Sequence, residues 1–280
     1  MKEKIESVQK YNLHTHTYRC KHAEGDVMEY AAEASERGIE VLGFSEHPPL
    51  HPEDIWTPFR MEEDELDDYF QAISDAREQF PQMKILAGFE MDLYPGFKSY
   101  YEDTFLHRED LDYLIGGVHW IKYRGEWMWI QKADTAGHLI EYVKEITGLI
   151  ESGLMSFITH PDSFAYGYLE WDADAEACSR DILSAAEEYN VPLEINGYGL
   201  RKPDIDTPAG PRKAYPLNKF WELASGYDVT VVCNSDAHRP GDVAGGLDGC
   251  HRIIEQFHLK HHPVAEAMKE VSSPYKVLNR

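Results

Sequence analysis

The amino-acid sequence predicts an α/β fold closed into a barrel, with its functional site at the carboxyl ends of the strands. Short apolar runs of strand length alternate with longer amphipathic segments, an order that favours parallel strands joined by helices. Six of the seven apolar runs stop at a histidine or a carboxylate. The chain shows no internal repeat or flexible linker, so we expect residues 1–280 to form one domain, a normal size for an α/β barrel.

The predicted elements follow in order along the chain. Apolar runs predict strands over 11–14, 39–45, 84–89, 112–118, 155–159, 191–196 and 228–234. Apolar residues at three-to-four spacing, with suitable start and stop residues, predict helices over 26–38, 63–80, 137–153 and 174–190. The segment 121–131 predicts an extra hairpin. The Pro- and Gly-rich region 196–216 is typical of a long functional loop.

Composition limits the classes of function. The formal net charge is −23, from 27 basic and 50 acidic residues, which argues against binding to polymeric nucleic acid or to a membrane surface. No apolar stretch is long enough to span a bilayer, and the N-terminus lacks the apolar region of a signal peptide. The four scattered cysteines are typical of reduced thiols, so we expect a cytoplasmic protein.

Histidines and carboxylates follow the predicted strands at the point where each strand ends. The residues concerned are His14, His16, His47, Glu90, His119, His160, Asp236 and His238. Residues i and i+2 of a strand point the same way, so His14 and His16 can hold one ion, and Asp236 and His238 repeat the spacing. In an open sheet in sequence order, the first and last strands would lie about 29 Å apart. A closed barrel brings their ends together.

Together with His22, these side chains give nine possible metal ligands, enough for three ions if one carboxylate bridges two of them. Imidazole and carboxylate donors suit divalent zinc, manganese, iron or cobalt. A single histidine at a strand end is more often structural, but the joint pattern would need several coincidences and favours a metal cluster. We expect Cys20 to take no part. The remaining histidines are expected on the surface: His51, His107, His138, His251, His258, His261 and His262.

A phosphate-binding group is expected after the sixth strand, which lacks a metal ligand. There the sequence continues through two glycines to Arg201 and Lys202. The guanidinium of Arg201 offers a planar fork for phosphate oxygens, and Lys202 adds a second cation. The alternative is an ordinary surface loop with an arginine–carboxylate pair.

The pattern resembles the polymerase and histidinol phosphatase (PHP) superfamily. The resemblance rests on the first-strand HxH, the second-strand histidine, the glutamate after the third strand, the single histidines after the fourth and fifth strands, and the final DxH. Longer stretches are similar to its histidinol-phosphate phosphatase branch: 42–50, 88–96, 111–121, 194–202 and 235–243. The resemblance implies a distorted (β/α)7 barrel, similar to a TIM barrel, with three divalent metal ions.

The resemblance also implies how the ligands divide among the ions. One ion would take His14, His16, Glu90 and Asp236. A second would share Glu90 and take His119 and His160. The third would take His22, His47 and His238.

The implied activity is that of a phosphatase acting on a small phosphate monoester, L-histidinol phosphate, in histidine biosynthesis. We expect the metals to activate water for attack on phosphorus. Glu90 would bridge two ions, and Asp236, His238 or a second water would protonate the leaving alcohol. Glu46 or Asp92 could receive the amine or imidazole of the substrate, or could instead support the metal-binding histidines.

Two segments depart from the branch. The stretch 162–166 carries no cation where relatives often hold a basic residue, and the tryptophan-rich stretch 122–129 is unexpected. Both are expected to line the pocket, which keeps an alternative open, namely a phosphoesterase for another monoester, a nucleotide or a diester. A non-catalytic metal-binding module is disfavoured because no ligand position is missing. Metal identity and oligomeric state stay open at this point.

Overall fold

A curled parallel sheet begins the fold. The computed structural model describes residues 9–49, 58–92, 100, 104–105 and 108–262. Its first four strands lie side by side in chain order: β1 (Tyr11–Asn12), β2 (Val41–Glu46), β3 (Lys84–Met91) and β4 (Tyr113–Gly116). Each neighbouring pair is parallel, which confirms the predicted α/β class.

The predicted extra hairpin is also present. Strands β5 (Trp120–Tyr123) and β6 (Glu126–Trp129) pair antiparallel, with Trp120 opposite Trp129. Arg124 and Gly125 connect them, and both have a positive φ, of 52° and 90°. Two such residues form the tight turn whose twist matches a two-residue hairpin.

The predicted strand 155–159 is wrong. Only Ile158 forms parallel bridges, one to Gly116 and one to Leu193. The backbone bends before Ile158, and His160 then takes a positive φ of 29°, so the segment forms no regular strand, although the Ser156 amide still donates to the Leu114 carbonyl at 2.7 Å.

Three further parallel strands follow: β7 (Leu193–Asn196), β8 (Thr230–Asn234) and β9 (Lys260–His261). Strand β9 was not predicted, because two exposed polar residues give no apolar signal. A single parallel bridge between Thr15 and Ala237 links the end of β8 to the segment after β1.

Helices pack on the outside of the sheet. They are α1 (Val27–Glu36), α2 (Leu66–Gln79), α3 (Ala136–Glu151), α4 (Ala173–Tyr189), α5 (Gly197–Arg201), α6 (Asn218–Ala224) and α7 (Leu247–Phe257). The first four confirm the predicted helices. The short α5 corrects the predicted loop 196–216 at its start, because the Asn196 side chain accepts a hydrogen bond from the Gly199 amide and caps the turn. In the described part of the chain, no helix is both long and apolar enough to cross a membrane.

The inner face of the sheet has its own small core. Its buried members come from alternate positions of several strands: Tyr11, Leu13, Val41, Leu86, Tyr113, Ile115, Phe157 and Val232. Tyr113 fills much of this space and donates a hydrogen bond to the Leu13 carbonyl at 2.8 Å. A Cβ on Gly88 would lie 2.5 Å from the Tyr113 ring, so this position requires glycine. The polar strand ends lie directly above this packed layer.

Candidate metal centre

Glu90, at the carboxyl end of β3, lies among five histidines. One carboxylate oxygen, Oε2, is 3.3 to 3.5 Å from ring nitrogens of three of them, His14, His16 and His47. The other oxygen, Oε1, is 2.9 Å from His160 Nε2 and 3.5 Å from His119 Nε2. Glu90 is 1% exposed. Its two oxygens therefore face two different groups of nitrogen donors, as a carboxylate that bridges two cations must.

Asp236 approaches the same centre from the end of β8. Its Oδ1 lies 3.6 Å from His14 Nε2, 3.5 Å from His16 Nε2 and 3.3 Å from His238 Nδ1. Asp236 has φ 48°, in the left-handed region that non-glycine residues seldom adopt. Together with His160, it is one of two site residues held in a costly backbone conformation, a feature that clusters at functional sites.

A third group of donors forms beside Asp236. His238 Nε2 and His22 Nε2 are 2.9 Å apart, and the His22 and His47 rings stack at 5.6 Å. The Cys20 thiol lies within 4.8 Å of ligand nitrogens of His16 and His238. From the sequence, Cys20 was expected to take no part, because only folding brings its sulfur to this group.

Four of the histidines are held through Nδ1. His14 Nδ1 is 2.9 Å from Glu194 Oε1, and His119 Nδ1 is 3.1 Å from Asp92 Oδ2. His22 and His238 bond the carbonyls of residues 20 and 236 in the same way. Nδ1 is thereby engaged and Nε2 left toward the centre, the arrangement usual for metal-binding histidines.

Sequence reasoning missed Glu194. Its side chain, buried on β7, bonds His14 and accepts hydrogen bonds from Asn196 Nδ2 at 2.9 Å and Asn234 Nδ2 at 3.0 Å. The available signal was a carboxylate inside the apolar run 191–196, because a buried charge on such a strand requires partners.

The carboxylates of Glu46 and Asp92 also form hydrogen bonds or ion pairs with other groups of the protein. Glu46 accepts hydrogen bonds from the Thr17 amide and hydroxyl at 2.7 and 2.6 Å. Asp92 pairs with Arg60 and accepts a bond from the His119 amide at 2.8 Å. Neither carboxylate is among the residues that line the central cavity. This geometry favours support of the histidines, one of the two roles that the sequence left open.

Burial and neighbouring charges determine the protonation states of the histidines and carboxylates at the centre. Burial lowers the pKa of His238 to about 3 and also lowers the pKa of His22, so both imidazoles are neutral at pH 7. Burial alone would raise the pKa of Glu90, but the charge of His14 and His119 holds it well below its usual value. Burial alone would lower the pKa of His14 and His119, but the neighbouring carboxylates raise it above the usual value. Metal binding at these two histidines would therefore displace a proton, because ionised carboxylates and neutral imidazoles are the forms that bind metal.

The residues present fit a group of divalent transition metals. Asp236 Oδ1 and His47 Nδ1 are buried and make no hydrogen bond. Buried polar atoms of this kind need a partner, and cations at the centre would satisfy both. The donors also fall into sets of three whose ligand atoms lie within 4.8 Å of one another: His14, His16 and Asp236; His16, His47 and Glu90; Glu90, His119 and His160; His16, Cys20 and His238.

Comparison with known proteins identifies the family. The PHP domain model matches residues 12–197, more than half of the chain. The chain belongs to the PHP domain family. It is 30% identical over 240 residues to the probable histidinol-phosphatase of Deinococcus radiodurans, covering 82% of this chain and 86% of that protein. It is 28% identical over 265 residues to the histidinol-phosphatase of Bacillus subtilis, covering 84% and 96%.

A solved structure shares this PHP fold. It is the histidinol phosphate phosphatase of Lactococcus lactis, which was crystallised with zinc, L-histidinol and phosphate. The two structures superpose with a TM-score of 0.70 at 20% identity, covering 90% of this chain and 95% of the other. At this identity the likeness establishes the α/β architecture with its curled parallel sheet.

A cavity of about 290 Å³ opens above the centre of this PHP chain. Lys202 lines it, whereas Arg201 does not. Arg201 donates hydrogen bonds to the carbonyls of Ser235 at 2.8 Å and Gly245 at 2.7 Å, behind the strand that ends at Asp236. Arg201 therefore stabilises the segment that follows β8, and Lys202 is the cation that lines the cavity.

Lys202 sits within a group of three tyrosines. Its Nζ donates to the Tyr215 hydroxyl at 2.9 Å and lies 4.3 Å above the Tyr198 ring and 5.7 Å from the Tyr166 ring. Tyr166 belongs to the divergent stretch 162–166. That stretch contains no basic residue, but its Tyr166 ring lies beside the ammonium of Lys202, the residue that follows α5.

The histidines predicted on the surface fall into three groups. His258 and His261 are exposed, as expected, and His251 and His262 are half-buried. The prediction for His138 is wrong, since it is 9% exposed and packs edge-on against Tyr123 at 4.5 Å. His51 and His107 lie outside the described residues.

Proposed function

We propose that this PHP protein is a metal-dependent phosphatase that hydrolyses L-histidinol phosphate to L-histidinol and phosphate. The observation that carries the proposal is the convergence of seven histidines on Glu90 and Asp236, beneath a cavity lined by the half-buried Lys202. The names of relatives that match most of the chain support the substrate. The enzyme class is phosphoric monoester hydrolase.

The proposal includes three metal ions and a closed barrel. The single bridges at Ile158 and between Thr15 and Ala237 join the two runs of strands, which supports a distorted (β/α)7 barrel. The donor sets support a Glu90 shared by two ions, with His14, His16 and Asp236 on one side and His119 and His160 on the other. The third implied group is not reproduced as a set, because His47 groups with His16 and Glu90, and His238 groups with His16 and Cys20. Zinc, manganese and iron all suit such nitrogen and oxygen donors.

Bound divalent ions would lower the pKa of a water molecule and neutralise the phosphoryl oxygens. The chain's own residues position these groups. Glu194 and Asp92 fix the rings of His14 and His119, and Arg201 fixes the end of β8 at Asp236. Lys202 holds a phosphoryl oxygen, because a charge-assisted hydrogen bond in a partly buried site is a strong one.

The proton released by the attacking water would reach the leaving alcohol through Asp236 or His238, which lie beside each other on the cavity wall. Glu46 and Asp92 are assigned to support, since their oxygens are engaged by backbone and side-chain donors.

Phosphate release tests the proposed function. The protein would be loaded with manganese, zinc or iron and assayed on L-histidinol phosphate, other monoesters, nucleotides and a diester. A clear preference for L-histidinol phosphate supports the proposal. Equal turnover of unrelated monoesters would keep the phosphatase and discard the substrate, and metal binding without turnover of any ester would overturn both.

The bridging role of Glu90 predicts a linked loss. In Glu90→Gln, a neutral amide replaces the bridging carboxylate, so bound metal per chain and turnover should fall together. Metal analysis and phosphate release would be measured on the same preparation. Full activity with fewer metals would contradict the bridge.

A further inference from the structure

A second, smaller space adjoins the central cavity. It measures about 100 Å³, and we call it the aromatic recess. Its walls are Phe59, Trp120 and Trp129, with Arg60 at the edge and His22, His47 and His119 at the base. Nothing in the assignment of metals or phosphate uses its aromatic walls.

The walls form a continuous aromatic surface. Trp120 and Trp129 are opposite each other in the β5–β6 hairpin and stack with ring centroids 5.9 Å apart and an interplanar angle of 20°. The Phe59 ring lies 5.8 Å from Trp129 and 5.3 Å from His22. Spacings of 4.5 to 7 Å are those of interacting aromatic rings, so a planar guest can pack on this surface.

The recess is continuous with the metal centre. Four residues line both spaces, namely His22, His47, His119 and Trp129, whereas Lys202, Tyr198 and Tyr215 line only the central cavity. A phosphoryl group held by the metals and Lys202 therefore leaves the recess free for the organic part of the ester.

Size and charge restrict the guest. A cavity of about 150 Å³ holds benzene, so a recess of this smaller volume suits one small ring and excludes a nucleoside. The guanidinium of Arg60 is paired with Asp92, so its charge does not repel a polar ring.

We infer that the aromatic recess binds the planar ring of the leaving alcohol, and that Trp129 determines specificity for esters whose alcohol carries a single small aromatic ring. This inference rests on the proposed phosphatase function. It gives the divergent hairpin stretch 122–129 a role, because the hairpin places Trp129 at the junction of the two spaces.

A pair of synthetic esters tests the inference. The probes are 2-(imidazol-4-yl)ethyl phosphate, which carries a ring, and n-butyl phosphate, which does not. The native holoenzyme should prefer the ring ester by about tenfold in kcat/KM, from ring packing in a desolvated site. In Trp129→Leu this ratio should fall toward one, and in Trp129→Phe part of it should return.

Trp127→Leu is the matched control, because Trp127 lies on the same strand and lines neither space. It should keep the native ratio. Metal content would be measured for each variant, and Phe59→Leu provides a second test of the wall should Trp129→Leu fail to fold.

The outcomes separate the two proposals. If the native enzyme turns over neither ester, nor L-histidinol phosphate, the proposed function fails. If it turns over both esters equally, or if Trp129→Leu and Phe59→Leu keep the native ratio at full metal content, the recess does not bind the ring and the phosphatase stands.

Discussion

Among single residues, Glu194 has four hydrogen-bond partners in the site, although it was not predicted from the sequence. It bonds His14, the His160 amide, Asn196 and Asn234. We predict that Glu194→Gln weakens metal binding about 10- to 100-fold, as loss of a carboxylate behind a ligand typically does. Turnover should return when metal is added in excess. Metal titration of activity measures both.

The control for this variant is Glu145→Gln, which removes another buried carboxylate, on α3. It should leave the metal titration unchanged. If Glu194→Gln stays inactive at saturating metal, Glu194 takes a more direct part in the chemistry than positioning His14.

Lys202 supplies a second prediction. A charge-assisted hydrogen bond contributes about 1.5–3 kcal/mol, so Lys202→Met should raise the inhibition constant of inorganic phosphate roughly 10- to 100-fold. Lys202→Arg should recover part of the affinity. Burial lowers the pKa of Lys202, so phosphate binding should weaken at a lower alkaline pH than an ordinary lysine would allow. An unchanged alkaline limit in Lys202→Met would contradict this role.

Residue types at strand ends could be predicted, but side-chain directions could not. Eight of the nine donor positions followed from spacing, because the ends of parallel strands meet at one edge. The choice between Arg201 and Lys202 depends on which of two neighbours on α5 faces the cavity. The sequence favoured the arginine fork, and the structure uses that fork for the carbonyls of residues 235, 236 and 245.

At the scale of whole elements, β3 and the segment after β4 approach each other closely at Gly117. A substitution at Gly117 therefore tests how precisely Glu90 must be positioned. A Cβ on Gly117 would lie 2.6 Å from both Glu90 Oε1 and Thr159 Oγ1. Gly117→Ala should displace Glu90 and reduce kcat on the order of 100-fold, the cost of a misplacement of about 1 Å. Phosphate release and metal content would be measured alongside thermal unfolding.

Gly148→Ala, within α3, is the matched control. Its Cβ would meet nothing within 4 Å, and alanine is favoured over glycine inside a helix by about 1 kcal/mol. It should unfold at a higher temperature with normal activity. Near-normal activity in Gly117→Ala would show that Glu90 tolerates displacement.

Elements with strong periodicity could be predicted, and those defined by tertiary contacts could not. Helices α1, α3 and α4 have an apolar stripe and a side-chain N-cap, and α2 has the stripe without the cap. The segment 155–159 is as apolar as a strand, yet His160 must turn toward Glu90, and that turn prevents pairing beyond Ile158. The short α5 depends on the Asn196 cap. Its glycines favour a loop in sequence analysis, so the helix was not predicted.

For the molecule as a whole, the last parallel strand returns the chain to its first. Tyr11 and His261 share a hydrogen bond of 2.7 Å, and His251 bonds Gln9 at 2.8 Å. These contacts lie outside the metal centre. They join residues more than 240 positions apart, which no local pattern in the sequence could reveal.

Two half-buried histidines near β9, His251 and His262, allow a prediction of how the free energy of unfolding depends on pH. Burial lowers the pKa of both His251 and His262 below 6.5 in the folded chain. The unfolded chain then binds more protons below about pH 6.5, so the free energy of unfolding falls as the pH falls through this range. His262→Gln removes one such group and should lose less stability than the native protein between pH 7 and pH 5. Urea midpoints at both pH values measure the effect.

Comparing each variant with the native protein at the same pH separates this effect from metal loss, which acidification also causes. His258→Asn is the control, since His258 is exposed at the end of α7. It should follow the native pH dependence. If His262→Gln also loses as much stability as the native protein on acidification, His262 does not contribute to the acid sensitivity. The contribution of His262 to the free energy of unfolding would then be equal at both pH values.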